Sequence, residues 1–269
     1  MKSFKMAAHE DSLLPEGKKW KLIWNDEFDG TELDRSKWGF RLNFWGKPFP
    51  PFTDEGVELD GKSHLRLHLI KKNGQFCSPH LQTASLTYDI PRDSSGFWPF
   101  GKYEEPKFLH KYGYYEIRCK MNRQAGWWTA FWLQSPSIGA HPDPRQCGVE
   151  CDIMESQDYP EEKLVRCGNI WNGYGKNYSG SGHAKYILED TVDGWHRFAV
   201  DWSKNGYVFY TDGKEVNRVA GPVSDVEQFI LVSTESMGYR QGTGNPHLEK
   251  VVFPEYFEVD YVRVFDEFE

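Results

Sequence analysis

Three acids fall within six residues in Val149-Glu150-Cys151-Asp152-Ile153-Met154-Glu155-Ser156, inside a run that otherwise reads as a strand. Two carboxyl groups about 5–5.5 Å apart can cleave a glycosidic bond with retention. One attacks the anomeric carbon, while the other protonates the leaving oxygen and later activates water. An Asp between two glutamates can share a proton or a hydrogen bond with one of them and separate their pKa values, leaving one an anion and the other an acid. An exposed acidic strand or a set of calcium ligands would use the same residue types. Like charges on one face weaken a strand unless a wet cleft or shared protons relieve them, and that cost points to use.

Positioning these groups puts a demand on the strand. Side chains alternate faces, so Glu150 and Asp152 point the same way and Glu155 the other, unless the strand carries one extra residue. A β-bulge at Ile153-Met154 supplies it and returns Glu155 to the face of the other two. Two positions along a strand span about 6.5–7 Å and four about 13 Å, so the two glutamates must lean together around Asp152.

The rest of the chain reads as strands. In 63–70, Leu65, Leu67 and Leu69 alternate with His64, Arg66 and His68, whose face reads as solvated. Further strands are expected over 19–24, 81–87, 112–121, 127–133, 149–155, 164–171, 195–202, 229–236 and 256–265. The runs 207–211 and 214–218 flank Asp212-Gly213, a two-residue hairpin turn. Many strands and few helices mean two packed sheets or a closed barrel. Segments 40–56 and 89–108, rich in Pro, Gly and aromatics, read as long loops at a ligand-bearing surface.

Composition narrows the partner. A formal charge of −8 argues against nucleic acid. Aromatic residues make up 16% of a chain whose mean hydropathy is polar, and flat ring faces suit the C–H faces of sugars; an aromatic core is the plainer explanation. The five cysteines, Cys77, Cys119, Cys147, Cys151 and Cys167, contain no C-x-x-C pair and read as small buried hydrophobes. No apolar stretch is long enough to span a membrane and no signal peptide is visible. Residues 1–17 read as a flexible N-terminal extension and 18–269 as a single domain, expected to act as a monomer.

Glu150-Cys151-Asp152-Ile153-Met154-Glu155 resembles the bulged E-x-D-x-x-E signature of glycoside hydrolase family 16, in its laminarinase-, agarase- and carrageenase-like branches. The likeness runs from Trp24-Asn25-Asp26-Glu27-Phe28 through Tyr112-Gly113-Tyr114-Tyr115-Glu116-Ile117-Arg118, Trp128-Thr129-Ala130-Phe131-Trp132, Trp195-His196-Arg197-Phe198 and Phe209-Tyr210-Thr211-Asp212-Gly213-Lys214 to Val259-Asp260-Tyr261-Val262-Arg263-Val264. It implies an all-β jelly-roll β-sandwich of two antiparallel sheets with a concave, concanavalin A-like cleft. It also implies a retaining endo-β-glycosidase acting on a polysaccharide of β-galactan, agar-like or β-1,3-glucan type, secreted, periplasmic or at the cell surface. Glu150 takes the role of nucleophile, Asp152 of modulator and Glu155 of acid/base. Cys151 stands where an aliphatic is usual, and Asn169-Ile170-Trp171-Asn172-Gly173 replaces the His-containing strand of many laminarinases, which puts a plain β-1,3-glucan specificity in question.

Neighbours of Glu150 in such a cleft are expected to be Trp128, Trp132, Asn169 and Trp171, with Trp127 in the core and Glu235 accepting from sugar hydroxyls. Arg92, Tyr174, Lys176 and His183 lie in segments that could cover the cleft ends, though they read as solvated loop. The chemistry requires no cofactor. The resemblance implies a structural calcium held by backbone oxygens at Glu27 and Gly61 and by Asp260 on the last strand. A non-catalytic lectin on the same sandwich is the alternative; it has no need of three acids in a row.

Overall fold

A computed structural model describes residues 1–44, 47–86, 105–157, 162–172, 178–236 and 246–268. Alternation decides which side of each strand is buried. In the strand Leu65–Lys72 the three leucines Leu65, Leu67 and Leu69 are buried. His64 and His68 lie on the other face and bond Asp60 and Glu58. The leucines belong to the main core with Ile117, Phe131, Leu133, Phe198, Val200, Ile230 and Val232, apolar residues set two apart on their strands. Each large apolar side chain fully removed from water there stabilises the fold by about 1.5–3 kcal/mol.

That core lies between two antiparallel sheets. The inner sheet runs in the order Gly39–Phe40, Gln75–Gln82, Phe229–Ser236, Trp127–Gln134, Glu150–Gln157 and Leu164–Trp171, with Ser179–Gly180 and Ala184–Ile187 along its far edge. The outer sheet is built around the 14-residue strand Glu255–Phe268. Gly113–Lys120, His196–Ser203, Gly206–Thr211 and Lys214–Val219 follow on one side of it. Lys19–Asp26 and Leu65–Lys72 pair on the other, and Val57–Leu59 extends that edge. Gln75–Gln82 joins the two layers: its first half pairs with Leu65–Lys72 and its second with Phe229–Ser236. The architecture is the jelly-roll sandwich that the strand-rich pattern and the family resemblance call for.

Two expectations need correction. The strand expected over 81–87 occupies Gln75–Gln82, because Asn73 and Gly74, both with positive φ (49° and 82°), form a two-residue hairpin turn directly after Lys72. Residues 1–17 are not a flexible extension. Lys2–Phe4 pairs with Ser12–Leu14, and the hairpin lies on the outer sheet, with Leu14 packed against Tyr114, Ala199 and Phe265. Polar bonds hold it from beneath: the Tyr114 hydroxyl donates to Leu13 O at 2.7 Å, and Leu13 N donates to Glu116 at 3.1 Å. All five cysteines are free and buried, so no disulfide supports the fold.

Candidate active site

The decisive local feature is a register jump in Glu150–Gln157. Against one neighbour, Trp132 faces Asp152 but Phe131 faces Met154; against the other, Gly168 faces Asp152 but Arg166 faces Glu155. One extra residue therefore sits in the strand at Ile153-Met154. Its cause is apolar: Ile153 and Met154 are 1% and 0% exposed and, with Cys151, all belong to the core between the sheets. Two successive side chains going inward require a bulge, and the bulge returns Glu155 to the open face with Glu150 and Asp152.

Rows of paired residues then cross the open face of the inner sheet. One runs His80, Ser233, Ala130, Glu155, Arg166, Lys185. The next runs Gln82, Leu231, Trp132, Asp152, Gly168, and a third Phe229, Gln134, Glu150, Ile170, Gly180. In the third row Gln134 Nε2 donates to Glu150 Oε2 at 3.2 Å, which favours the carboxylate form.

At Asp152 the partner comes from outside the row. His183 Nε2 donates to Asp152 Oδ2 at 2.8 Å, and that bond outweighs burial to raise the imidazole's pKa. Space for the ring comes from Gly168: a Cβ there would stand 3.1 Å from His183 Cα and 3.2 Å from its ring. An oxygen of Asp152, one of Glu155 and a ring nitrogen of His183 lie within 4.8 Å of one another. Burial, followed by the charge of Asp152, pushes the Glu155 carboxyl up to about 8, against the lowering effects of His183 and Arg166. Tyr178, half exposed, has its phenol raised by burial and then by Asp152, Glu150 and Glu155, which places it near all three carboxylates. The arrangement separates a carboxylate at 150 that accepts from Gln134 from a protonated carboxyl at 155, the division of labour that acid-assisted displacement requires.

The family model for glycosyl hydrolases family 16 matches residues 66–234. The chain belongs to this family. It is 24% identical over 264 residues to glucan endo-1,3-beta-glucosidase A1 of Niallia circulans, a match covering 91% of this chain and 38% of that protein. It is 25% identical over 235 residues to beta-porphyranase B of Zobellia galactanivorans, covering 81% and 75%. The catalytic domain of an endo-1,3-beta-glucanase (laminarinase) from Thermotoga petrophila RKU-1 superposes with a TM-score of 0.70 at 23% identity, over 94% of this chain and 100% of that one, and shares its fold.

The remaining expected residues of this family 16 chain divide by strand face. Trp128 lies on the open face, half buried, directly across from Glu235, while Trp127 is in the core. Glu235 is buried on the open side and its charge reaches Glu155. Trp132 is on the same face but only 7% exposed: it packs with Ala84, Ala130, Phe229 and Leu231 and donates from Nε1 to Ser233 Oγ at 2.9 Å. Asn169 and Trp171 correct the expectation that they line the cleft. They do share a face, but Val165, Cys167 and the pairing of Asn169 with Cys151 turn it inward, and Trp171 packs on the core. Arg92, Tyr174 and Lys176 lie outside the described residues. His183 is in the site and not in solvent, and nothing in its spacing announced that. Gln134 had a signal, since it ends the alternation Trp128, Ala130, Trp132, Gln134.

Of the expected calcium set, the one carboxylate ligand, Asp260, already has a cationic partner. The carboxylate of Asp260 is held by Arg118 Nη1 at 2.6 Å in a buried pair, and Arg263 grips both oxygens of Glu27 at 2.9 and 2.7 Å. The Arg118 guanidinium occupies the position in which the Asp260 carboxylate would neutralise a dication, whereas the Arg263 pair engages the side chain of Glu27 and not the backbone oxygen expected to ligate. Asp152, Glu155 and His183 are also spaced closely enough to share a cation, and in this structure His183 and Asp152 are bonded to each other.

Proposed function

We propose that this chain is a retaining endo-β-glycosidase that hydrolyses internal β-linkages of a polysaccharide of β-galactan or β-1,3-glucan type, working as a monomer outside the cytoplasm. The bulge at Ile153-Met154 carries the reading, because it sets a hydrogen-bonded Glu150 and a protonated Glu155 on the same face with Asp152 between them.

In the first step a Glu150 oxygen attacks the anomeric carbon and the glycosidic bond breaks. The Glu155 proton passes to the leaving oxygen, so the departing sugar leaves as an alcohol. Burial, and after it the charge of Asp152, which is bonded to His183, keeps the proton on Glu155 beforehand. In the second step Glu155, now a carboxylate, takes a proton from water as the water displaces Glu150, restoring both groups and the original configuration. Trp128 offers a ring face to the sugars, and Glu235 and Tyr178 offer polar atoms to their hydroxyls.

Proton NMR of a digest during the first minutes tests this on a panel of β-glucans and β-galactans. Hydrolysis with the β-anomer formed first supports the proposal. The α-anomer first, or binding without any new reducing end across the panel, would replace it with an inverting enzyme or a lectin.

A further inference from the structure

Beside the three carboxylates the open face carries a cationic pair that the two displacement steps do not use. Arg166 stands directly across from Glu155, and Lys185 directly across from Arg166, so the three side chains form one line over three strands. Directly opposed residues bring their Cβ atoms within about 4.5–5.5 Å, and like charges so placed weaken the ladder. Glu155 does not cancel them while it keeps its proton, which it does up to about pH 8. Arg166 has a second peculiarity: its Nη1 is buried and meets no hydrogen-bond acceptor. Such an orphaned donor is costly, and buried polar groups are ordinarily satisfied. A ligand oxyanion would supply both the missing acceptor and the missing negative charge.

The geometry points to Arg166 and Lys185 as a subsite for an anionic substituent, a sulfate ester or a carboxylate, on a sugar next to the scissile bond. This rests on the glycosidase reading and deepens it: the substrate class is an acidic β-glycan. The guanidinium presents a planar fork of donors to an oxyanion, and exposed Lys185 adds a mobile point charge at the sheet edge. With a net charge of −8 the molecule repels polyanions at long range, so an acidic polymer needs a local cationic contact to be held.

The test measures kcat/KM on a sulfated β-galactan, the same polymer after desulfation, a uronate-bearing β-glycan and its carboxyl-reduced form. The proteins are the wild type, Lys185→Gln, Arg166→Gln and Arg166→Lys. The wild type should prefer one charged polymer over its neutral counterpart by about tenfold or more, and which polymer shows the preference separates sulfate from carboxylate. Lys185→Gln, exposed and safe for folding, should lose that preference while staying within about threefold of wild type on the neutral polymer, and Arg166→Gln should lower the ratio of charged-polymer to neutral-polymer rates whatever its effect on both through Glu155. Arg166→Lys should keep part of it, and added NaCl should erode it in the wild type. Equal or faster cleavage of both neutral polymers by the wild type overturns the inference. So does an equal loss on charged and neutral polymers in both Gln variants, with a shifted alkaline limb showing that Arg166 acts only through Glu155. If the wild type cuts none of the four, the glycosidase reading falls first and this one with it.

Discussion

Two clusters of charge lie on opposite sides of this sandwich, and they are built in opposite ways. On the outer sheet, beneath the N-terminal hairpin, Arg263 is fully buried and each of its three nitrogens is engaged: Glu27 takes two, and Glu10 O and Ser12 Oγ take the third. Its neighbour Glu116 accepts from the Tyr261 hydroxyl at 2.8 Å and from Leu13 N, bonds that counter the upward push of burial on its carboxyl. On the open face of the inner sheet, Asp152 has one imidazole, Glu155 is held as a neutral acid, and Arg166 keeps an unmatched buried donor. Cross-strand charges closed on each other rigidify a fold; charges left incomplete on an open face await something that is not part of the chain. Burial alone would have marked both clusters as unusual. Only the completeness of their hydrogen bonding tells them apart.

That contrast breaks if the two clusters respond alike to mutation. The largest effect is expected at the open face, where Glu150→Gln should lower kcat by about 10⁴-fold or more and Glu155→Gln by about 10²–10⁴-fold, with unchanged circular dichroism. Reducing-end assays check it, and retained activity in Glu150→Gln would end its role as nucleophile. The outer network should behave in reverse. Arg263→Met leaves Glu27 buried without its partner and should cost about 3–5 kcal/mol of stability in denaturant titrations, with kcat per folded molecule unchanged. Replacing Glu27 by Met as well should recover much of that loss, because no lone charge remains.

The pH dependence sharpens the comparison. Glu155 has a folded pKa raised to about 8, so its proton is available below that value and the rate should fall as pH rises through about 8. Asp152→Asn removes a charge that raises this pKa and should move the alkaline limb to lower pH. His183→Gln removes one that lowers it and should move the limb up. Stability follows the same sign: the contribution of the bound proton is complete below the unfolded carboxyl's pKa and is lost on passing upward through about 8, so Glu155→Gln should flatten the alkaline decline. Smallest is Gly168→Ala, whose Cβ would press on the His183 backbone and ring; overpacking of this kind costs about 1–3 kcal/mol. A displaced His183 should reduce kcat/KM by about tenfold, which kinetics at matched folded fractions would detect.

Much of this was legible in the residues. The bulge followed from parity: an acid at an odd offset from two others either faces the core or needs an extra residue, and the apolar Ile153-Met154 pair marked where that residue goes. The leucine alternation in Leu65–Lys72 and the Asp212-Gly213 turn were equally direct. The strand Gln75–Gln82 was misplaced because Pro79 obscured its pattern, although Asn73-Gly74 marked its start. For Asn169 and Trp171 the period was right and the phase wrong: a strand of mixed residues shows which side chains go together, not which set faces inward, and here Val165 and Cys167 decided it. The N-terminal hairpin was missed because its backbone groups bond side chains more than a hundred positions away.

From its own order of residues the chain determined that three carboxylates would need a kinked strand, that strands would dominate, and that an inner face would bear aromatic rings, since these follow from local geometry with periods of one or two residues. Tertiary structure alone decided that His183 meets Asp152 across Gly168, that Arg166 lies between Glu155 and Lys185, and that Arg118 takes the Asp260 carboxylate read as a calcium ligand. Those contacts join segments whose alignment depends on the register of the whole sheet. A one-residue slip anywhere along it would exchange one set of partners for another.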